Sequence, residues 1–587
     1  MNFLRNLLAA ILGTMVAIGI LIVMLLVLGG LVASRDNDVH VKEASILEIQ
    51  LQQPVADYTA EDELNPFADF LEEPESLEGI LHAIRVAKND TKIKGISINN
   101  NFLLTGLAQT QTIRKALEDF KSEGKFIYAY ADFYPQKDYY LASVADSLFI
   151  NPVGAVDFKG LSSEVLFFKD LQEKTGVKME VIRHGKYKSA VEPFLENEMS
   201  NANRTQIKEL LHSLWNAMVT DITKGRGATA QDLNIIADTL GGRSAKLAKT
   251  SGLVDGSIFY DEYEAKLSQA LNVKKTKDIN YIALNDYVTY ARKKSVKSGK
   301  DKVAVVFAQG EIIYGEGGPD IIGQGLIMEA LRTAREDAKV KAVVLRINSP
   351  GGSALTSDII WREVVLTKNV KPVVVSMGDV AASGGYYIAA GADKIYAEPT
   401  TITGSIGVFG VLPNASTLAR NIGVNAEQVG TNKNAVGYSF FEPLDTEFKD
   451  QIQESIETTY HTFLERVAAG RAITIAQTDS LAQGRIWSGV DAKRIGLVDE
   501  LGTLEDAIEA AAELAKLDTY GIKKLPKYKT SVERFMKKIG DVKVNISSNG
   551  IVGELGTEAV STVLEDIKAT LSHEGVQVRM PCVLNIK

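Results

Sequence analysis

Short runs of consecutive apolar residues alternate with amphipathic segments along the second half of the chain. Val303–Phe307, Ala342–Ile347 and Val373–Ser376 are rich in β-branched residues, which is typical of strands buried on both faces of a sheet. Between them, Leu326–Ala338 and Ala354–Lys368 carry apolar residues at helical spacing. Because strands and helices alternate, the pattern predicts an α/β fold with a mostly parallel sheet and crossover helices.

A longer apolar run, Leu7–Val32, lies near the N-terminus and contains no charged residue. At 1.5 Å per residue it spans about 39 Å, more than the roughly 30 Å hydrocarbon core of a bilayer. Val32-Ala33-Ser34 resembles a weak cleavage site, but a cleavable signal peptide has an apolar core of only about 7–15 residues. We therefore predict one uncleaved transmembrane helix. Arg5 before it favours a cytoplasmic N-terminus, with the rest of the chain on the far side.

The two halves of the chain repeat one another at a fixed offset of 247 residues. Lys94–Asn101 lies over Lys341–Asn348, and after a shift of three residues Gly252–Asp255 lies over Gly496–Asp499. Further matched pairs are Asp132 with Asp379, Tyr139 with Tyr386, Tyr140 with Tyr387, Ala142 with Ala389, Asp146 with Asp393, Pro152 with Pro399 and Gly176 with Gly423. One register held over so many positions indicates a tandem duplication.

The duplication predicts the domain boundaries. We expect an anchor over residues 1–35, a first copy over 42–292, a linker over 293–302, a second copy over 303–515 and a C-terminal extension over 516–587. The linker is rich in Lys, Ser and Gly, and the extension has no counterpart in the first copy. A chain of 587 residues suggests roughly three or four domains, and the two copies, the anchor and the extension agree with that number.

Composition narrows the classes of function. The chain is 45% apolar and 24% charged, as expected of a well-folded globular protein. A net charge of −9 without a long basic run argues against nucleic acid as the main partner. The one cysteine, Cys582, can form neither an internal disulfide nor a Cys-based zinc site, and the six histidines show no H-E-x-x-H spacing. We predict neither a metal nor a cofactor.

Two glycine-containing segments follow consecutive predicted strands and carry the candidate chemistry. The strand ending at Ile347 runs into Asn348–Ser353, where Gly351 and Gly352 leave backbone N–H groups accessible for an oxyanion hole. Ser383 begins a predicted helix, and its ordinary interpretation is an N-cap. A nucleophile at that place gains the N–H groups and the positive dipole end of the helix. Together the two segments favour Ser383 as a nucleophile.

A serine hydroxyl needs a base, and no histidine lies in the motifs of this copy. A lysine is the remaining choice, provided that burial lowers its pKa from about 10.4 by roughly two to three units, or about 3–4 kcal/mol. Ser383 aligns with Gln136 of the first copy, whereas Lys188 aligns with Ala435 of the second. The serine thus survives in one copy and the lysine in the other. Residue patterns alone do not separate Lys186 from Lys188.

Four segments of the chain resemble the signal peptide peptidase A family in its long, two-copy form. They are Gly185–Phe194, Asn348–Ser353, Gly378–Tyr386 and Thr403–Gly410. The resemblance covers about residues 1–515, including the anchor and the duplication. The Pro-Gly-Gly and Ser-Gly-Gly patterns alone are shared with the wider Clp-protease/crotonase-like superfamily, so it is the four motifs in order that make the resemblance specific.

The resemblance implies tandem Clp-protease/crotonase-like domains forming a membrane-anchored serine endopeptidase without a cofactor. Its implied substrates are released signal peptides and similar hydrophobic peptides. It implies Ser383 as nucleophile, Lys188 as general base, the N–H groups of Gly352 and Gly384 as the oxyanion hole, and Ser405 as the residue that orients the lysine. It further implies a homotetramer in the bacterial inner membrane, with the catalytic domains on the periplasmic side.

Two other classes of protein stay open as alternatives. The first is a non-enzymatic membrane scaffold with a degenerate site, against which the intact serine, lysine and Gly-Gly elements argue. The second is a crotonase-like acyl-CoA enzyme, which shares the oxyanion-hole architecture. The predicted anchor and the retained serine and lysine argue against it.

Overall fold

The computed structural model describes residues 39–59, 75–294 and 299–528 and the backbone of 577–579, together with scattered positions between residues 5 and 24. Most of the predicted anchor lies outside these residues. Within the described part of the chain, none of the helices is both long enough and apolar enough to cross a bilayer.

The first copy contains seven strands and ten helices within the described ranges. The strands are β1 (Ser45–Ile49), β2 (Ile93–Ile98), β3 (Phe126–Ala131), β4 (Ser147–Ile150), β5 (Lys178–His184), β6 (Gly256–Ser257) and β7 (Asn280–Ala283). The helices are α1 (Leu77–Asn89), α2 (Leu107–Lys121), α3 (Gln136–Ala142), α4 (Lys169–Thr175), α5 (Glu192–Leu195), α6 (Asn201–Arg226), α7 (Ala230–Asp238), α8 (Ala245–Thr250), α9 (Tyr260–Ala270) and α10 (Leu284–Arg292).

The second copy repeats the central part of this succession and contains additional short strands. Its strands are β8 (Lys302–Gln309), β9 (Glu311–Ile313), β10 (Ile321–Gly323), β11 (Val340–Ser349), β12 (Gly351–Ser353), β13 (Val373–Ala382), β14 (Lys394–Ala397), β15 (Ile402–Gly404), β16 (Val408–Asn414), β17 (Ile486–Ser488), β18 (Glu500–Leu501) and β19 (Gly521–Leu525), and β20 (Gln577–Arg579) follows. Its helices are α11 (Gln324–Glu336), α12 (Ala354–Lys368), α13 (Gly384–Ala389), α14 (Ser416–Asn421), α15 (Thr446–Arg471), α16 (Ile475–Leu481), α17 (Gly489–Arg494) and α18 (Leu504–Leu514).

Each copy is built on its own parallel sheet, which confirms the predicted α/β class. The first sheet has the order β6-β4-β3-β2-β1-β7, and all of its pairs are parallel. The second has the order β17-β15-β13-β11-β8-β19, with β14 and β18 beside β13. Only the β15–β17 pair in that sheet is antiparallel. The central strands β8, β11 and β13 are buried over nearly their whole length because helices cover both faces of the sheet.

The duplication is visible in the starting residues of the elements. Helices α1 and α2 begin 247 residues before α11 and α12, and strands β2, β3 and β4 begin 247 residues before β11, β13 and β14. The long helices α6 and α15 both contain 26 residues. The predicted two-copy arrangement is therefore confirmed, with equivalent elements in equivalent order.

The observed boundaries differ from the predicted ones at several ends. Helix α12 has the predicted bounds, but α11 begins and ends two residues earlier than predicted. Strand β13 continues past Ser376 to Ala382, directly before Ser383. Lys302, placed in the linker, begins β8, and β19 pairs with β8 although it lies beyond residue 515. The second sheet thus includes residues that were assigned to the extension because no counterpart in the first copy was found for them, since pairing with a distant strand leaves no local pattern.

A third sheet joins the two copies, in the order β10-β9-β12-β20-β16-β5. Strand β5 of the first copy pairs antiparallel with β16 of the second over seven residue pairs, from Val408 with His184 to Asn414 with Lys178. Since β5 leads to Lys188 and β16 follows Ser405, this pairing brings motifs from the two copies to one place.

A buried ion pair and a helix-capping carboxylate also hold the copies together. Arg346 donates to Asp57 at 2.7 Å, with both side chains at most 2% exposed. Asp379 accepts from the N–H groups of Ala108 and Gln109 at the start of α2. A buried charge without its partner is strongly destabilising, so these contacts specify one arrangement of the two copies.

Candidate functional site

Ser383 lies at the sharp connection between β13 and α13, at the carboxyl end of a central strand. Its φ of 55° and ψ of −114° are uncommon for a residue with a side chain, and its N–H donates to the Gly404 carbonyl at 2.8 Å. Its side chain makes no capping hydrogen bond, so the helix-cap alternative does not describe it. Backbone strain of this kind is concentrated at functional sites and is held in place by the surrounding structure.

Lys188 lies four residues after β5 and approaches the serine from the first copy. Its Nζ lies within hydrogen-bond distance of Ser383 Oγ, at 2.8 Å, of Ser405 Oγ, at 3.0 Å, and of the Ser405 carbonyl oxygen, at 3.0 Å. The side chain is 0% exposed, and burial holds its pKa well below the usual value of 10.5. Lys186 is exposed to solvent, so burial distinguishes the two lysines that the sequence left equivalent.

The three partners of the amine fit its neutral form. A neutral amine has two N–H donors and one lone pair, and the Ser405 carbonyl can only accept. If the Ser405 hydroxyl accepts the second N–H, the lone pair faces the hydroxyl of Ser383. The geometry therefore allows Lys188 to take a proton from Ser383 without any rearrangement of heavy atoms.

Ser405 is held in position by its backbone. Its φ of 52° is again in the left-handed region, and its N–H donates to the Arg485 carbonyl at 2.6 Å. This strained turn directs both oxygens of one residue at the same amine. The predicted lysine-orienting residue is therefore in contact with Lys188.

The predicted oxyanion donors, Gly352 and Gly384, are neighbours. A Cβ on Gly384 would lie 3.2 Å from the Gly352 amide nitrogen and 2.7 Å from Ser357 Oγ. Gly352 has a φ of 151°, and a Cβ there would lie 2.0 Å from the Ile312 carbonyl. Both positions thus need glycine for close backbone approach, as expected where N–H groups are aimed at a reacting oxygen.

Three further residues enclose Lys188 and were missed by sequence reasoning. A Cβ on Gly484, whose φ is 79°, would lie 2.6 Å from Lys188 Cβ, and one on Gly407 would lie 3.2 Å from Lys188 Cδ. The ring centroid of Phe409 lies 5.8 Å from Nζ. Gly407 and Phe409 fall inside a motif noted in the sequence, whereas Gly484 lies in a Gln-Gly turn that no local pattern distinguishes.

A strained serine beside a buried lysine, with paired glycine N–H groups at the carboxyl edge of a parallel sheet, is the arrangement expected of a serine hydrolase. The chain belongs to Peptidase family S49, whose profile matches residues 119–274 and 366–518, one match in each copy. It is accordingly a serine peptidase.

Several known proteins are similar to this chain. Protease 4 from Haemophilus influenzae is 40% identical over 445 residues, covering 74% of this chain and 72% of the relative. The chloroplastic serine protease SPPA from Arabidopsis thaliana is 32% identical over 557 residues, covering 93% of this chain and 79% of the relative. Among solved structures, a ClpP1 mutant from Listeria monocytogenes matches at 16% identity with a TM-score of 0.24, covering 35% of this chain and 94% of that one.

Proposed function

We propose that the protein is a membrane-anchored serine endopeptidase in which Ser383 and Lys188 act as a catalytic dyad. The observation that carries the proposal is the 2.8 Å contact between Ser383 Oγ and the Nζ of a fully buried lysine. A lysine can act as a base only when it is neutral, and burial lowers its pKa in that direction.

In the proposed mechanism, Ser383 Oγ attacks the peptide carbonyl while its proton passes to Lys188 Nζ. The oxyanion that forms accepts hydrogen bonds from the N–H groups of Gly352 and Gly384. Lys188 then gives its proton to the leaving amine, the C–N bond breaks and an acyl-serine ester remains. A water molecule gives a proton to Lys188 and attacks the ester. As the ester bond breaks, Lys188 returns this proton to Ser383 Oγ, which releases the carboxylic acid and restores both residues. Ser405 keeps the amine in place throughout.

The proposed substrates are released signal peptides and similar hydrophobic peptides. The apolar run Leu7–Val32 supports this proposal, because a peptidase anchored in a membrane is close to peptides left there. The relationship to signal peptide peptidase A supports placement in the bacterial inner membrane with the catalytic copies on the periplasmic side. It also supports assembly as a homotetramer with one complete site per chain.

Ser383→Ala and Lys188→Ala test the dyad, with Lys186→Ala as the matched control. We expect the first two variants to lose hydrolysis of a peptide ester, since the proton-transfer pair is gone. Lys186→Ala keeps activity because its exposed amine lies outside the site. Full activity in Lys188→Ala would contradict the dyad.

A fluorophosphonate probe separates a peptidase from an inactive scaffold of the same fold. The Ser383 oxygen displaces fluoride and forms a bond to phosphorus only if the serine is activated. We expect labelling of the wild type and none of Ser383→Ala. Absence of labelling in both proteins would favour the scaffold.

A further inference from the structure

Strand β13 leaves regular pairing shortly before the proposed nucleophile. Ile347 of β11 lies opposite Met377, and the next pair is Ser349 with Ala381. Strand β13 therefore advances four residues where β11 advances two. We call the residues between these pairs, Gly378–Val380, the pre-serine bulge. Because a bulge bends its strand and redirects the side chains near it, its geometry affects the nucleophile, which lies two residues beyond the last of these pairs.

Two residues of the pre-serine bulge are fixed within the second copy. The Gly378 carbonyl accepts from Thr401 Oγ1 at 2.8 Å, and the Val380 N–H donates to Asn348 Oδ1 at 3.2 Å. The third residue, Asp379, reaches into the first copy instead. The bulge is thus the place where the strand of the nucleophile is tied to the copy that supplies the proposed base.

Asp379 caps helix α2 of the first copy. Its Oδ1 accepts from the N–H groups of Ala108 and Gln109, at 2.8 and 3.1 Å, in the first turn of that helix. Burial raises the pKa of Asp379 from 3.8 to about 6, so at neutral pH the group is mostly ionised and carries the charge that a helix N-terminus attracts. The N-cap residue of the helix, Gly106, has no side chain with which to accept these N–H groups.

The duplication offers a direct comparison for this cap. Gly106 aligns with Ser353, which precedes the equivalent helix α12 and caps it, since Ser353 Oγ accepts from the Thr356 N–H at 3.3 Å. A Cβ on Gly106 would have the carboxyl atoms of Asp379 as its three nearest neighbours, with Cγ at 2.0 Å. The φ of Gly106 is −68°, which any residue adopts. Glycine therefore provides room at this position for the carboxylate of the other copy.

We propose that Asp379 is a positioning residue, which holds the pre-serine bulge, and through it Ser383, in register with the copy that carries Lys188. The inference rests on the proposed function, because Asp379 acts only through the dyad. Without the cap, the bulge keeps its contacts to the second copy and loses its tie to the first. The 2.8 Å separation of Ser383 Oγ and Lys188 Nζ is then less well held, and a misplacement of 1 Å costs about a hundredfold in rate.

Asp379→Ala tests the proposal, with Asp379→Asn as the conservative variant. We expect kcat for a fluorogenic peptide, and the rate of fluorophosphonate labelling of Ser383, to fall about ten- to a hundredfold in Asp379→Ala, with KM unchanged. Asparagine keeps an oxygen that accepts from the two N–H groups, so kcat should stay within about threefold of the wild type.

Asp132→Ala is the matched control from the duplication. Asp132 is the counterpart of Asp379 in the first copy, but it is exposed and accepts from Asn151 Nδ2 at 2.9 Å within its own copy. Its replacement should leave kcat unchanged. A loss as large as that of Asp379→Ala would show that the effect does not arise from the contact between the copies, and would overturn the proposal.

Gly106→Ala tests the same contact with the carboxylate still present. In the wild-type background its Cβ overlaps Asp379, so kcat should fall by about tenfold or more. In the Asp379→Ala background the room is free, and Gly106→Ala should cause no further loss. Additive losses would overturn the proposal. If Asp379→Ala does not fold, an unchanged kcat in Gly106→Ala would overturn it as well.

A cap that is only structural gives a different result. It would lower the Tm of Asp379→Ala and leave kcat and the labelling rate unchanged well below that temperature. This outcome, in an enzyme whose Ser383 is labelled only when Lys188 is present, would overturn the positioning role and leave the dyad intact. Absence of labelling in the wild type would refute the dyad, and the positioning role with it.

Discussion

Substitution of Ser405 by alanine removes one of the three contacts of the Lys188 amine and leaves the other two. The lost contact is the 3.0 Å hydrogen bond to Ser405 Oγ, whereas the Ser405 carbonyl at 3.0 Å and Ser383 Oγ at 2.8 Å stay. Serine and alanine adopt the left-handed φ of 52° at similar cost, so the backbone contribution largely cancels. The variant therefore isolates the orienting hydrogen bond.

The expected size of the effect follows from the worth of that bond. A typical intramolecular hydrogen bond contributes about 0.5–1.5 kcal/mol net, and each 1.4 kcal/mol of barrier is about tenfold in rate. We expect kcat/KM to fall about two- to twelvefold. Because a hydroxyl accepts more strongly from an ammonium than from an amine, its loss lowers the pKa of Lys188 further. The acid limb of the pH profile should move to lower pH.

Steady-state hydrolysis of a fluorogenic peptide between pH 5 and 10 measures both kcat/KM and the pH at which its acid limb lies. Ser268→Ala is the matched control, since it removes one partly buried hydrogen bond of 2.9 Å to the Val273 carbonyl, far along the chain from the site. It should leave the profile unchanged. Undiminished kcat/KM with an unmoved acid limb in Ser405→Ala would refute the orienting role. A loss beyond about a thousandfold would exceed one hydrogen bond and indicate direct participation in proton transfer.

Three further outcomes are expected. Gly484→Ala places a Cβ 2.6 Å from Lys188 Cβ, so it should displace the lysine and reduce kcat/KM by about a hundredfold. Gly496→Ala is the control: its φ of 82° is similar, but its Cβ would have nothing within 4 Å, so it should lower only the Tm. The wild-type kcat/KM should rise with pH as Lys188 loses its proton, and a limb near the ordinary lysine pKa of 10.5 would contradict the effect of burial. Burial raises the pKa of Glu398 from 4.5 to about 7, so the folded state binds more protons than the unfolded state and stability falls as pH rises between these values. In Glu398→Gln the free energy of unfolding should therefore fall less with rising pH, by up to about 3 kcal/mol. If the change in Tm between pH 5 and pH 8 is the same in the variant and the wild type, Glu398 is not the source of the pH dependence.

Much of the fold is predictable because its signals are local. The bounds of helix α12 follow from apolar spacing, and the apolar centres of β8, β11 and β13 mark the strands of a buried parallel sheet. The α/β class and the tandem copies follow from the same patterns. What local patterns miss is pairing between distant segments, such as β5 with β16 and β19 with β8.

The candidate site likewise has residues that local sequence patterns reveal and residues that depend on contacts between distant segments. Ser383 and the Gly-Gly pair stand at the ends of recognisable strands, so they can be found in the sequence. The distinction between Lys186 and Lys188 depends on burial, which arises from residues such as Gly484 that lie about 300 positions away. No periodicity encodes that enclosure. Only the resemblance to a known family selected Lys188 before the structure placed it beside the serine.

The division of the site between two copies affects when a newly made chain becomes active. Lys188 and Ser383 are separated by 195 positions, and a ribosome adds about 5–20 residues per second. Roughly 10–40 seconds therefore pass between synthesis of the proposed base and synthesis of the proposed nucleophile. During that interval, and until β5 has paired with β16, a nascent chain lacks the proposed dyad and, on the proposed mechanism, does not cleave peptides, itself included. Proteolytic activity is in this sense delayed until both copies have folded and docked.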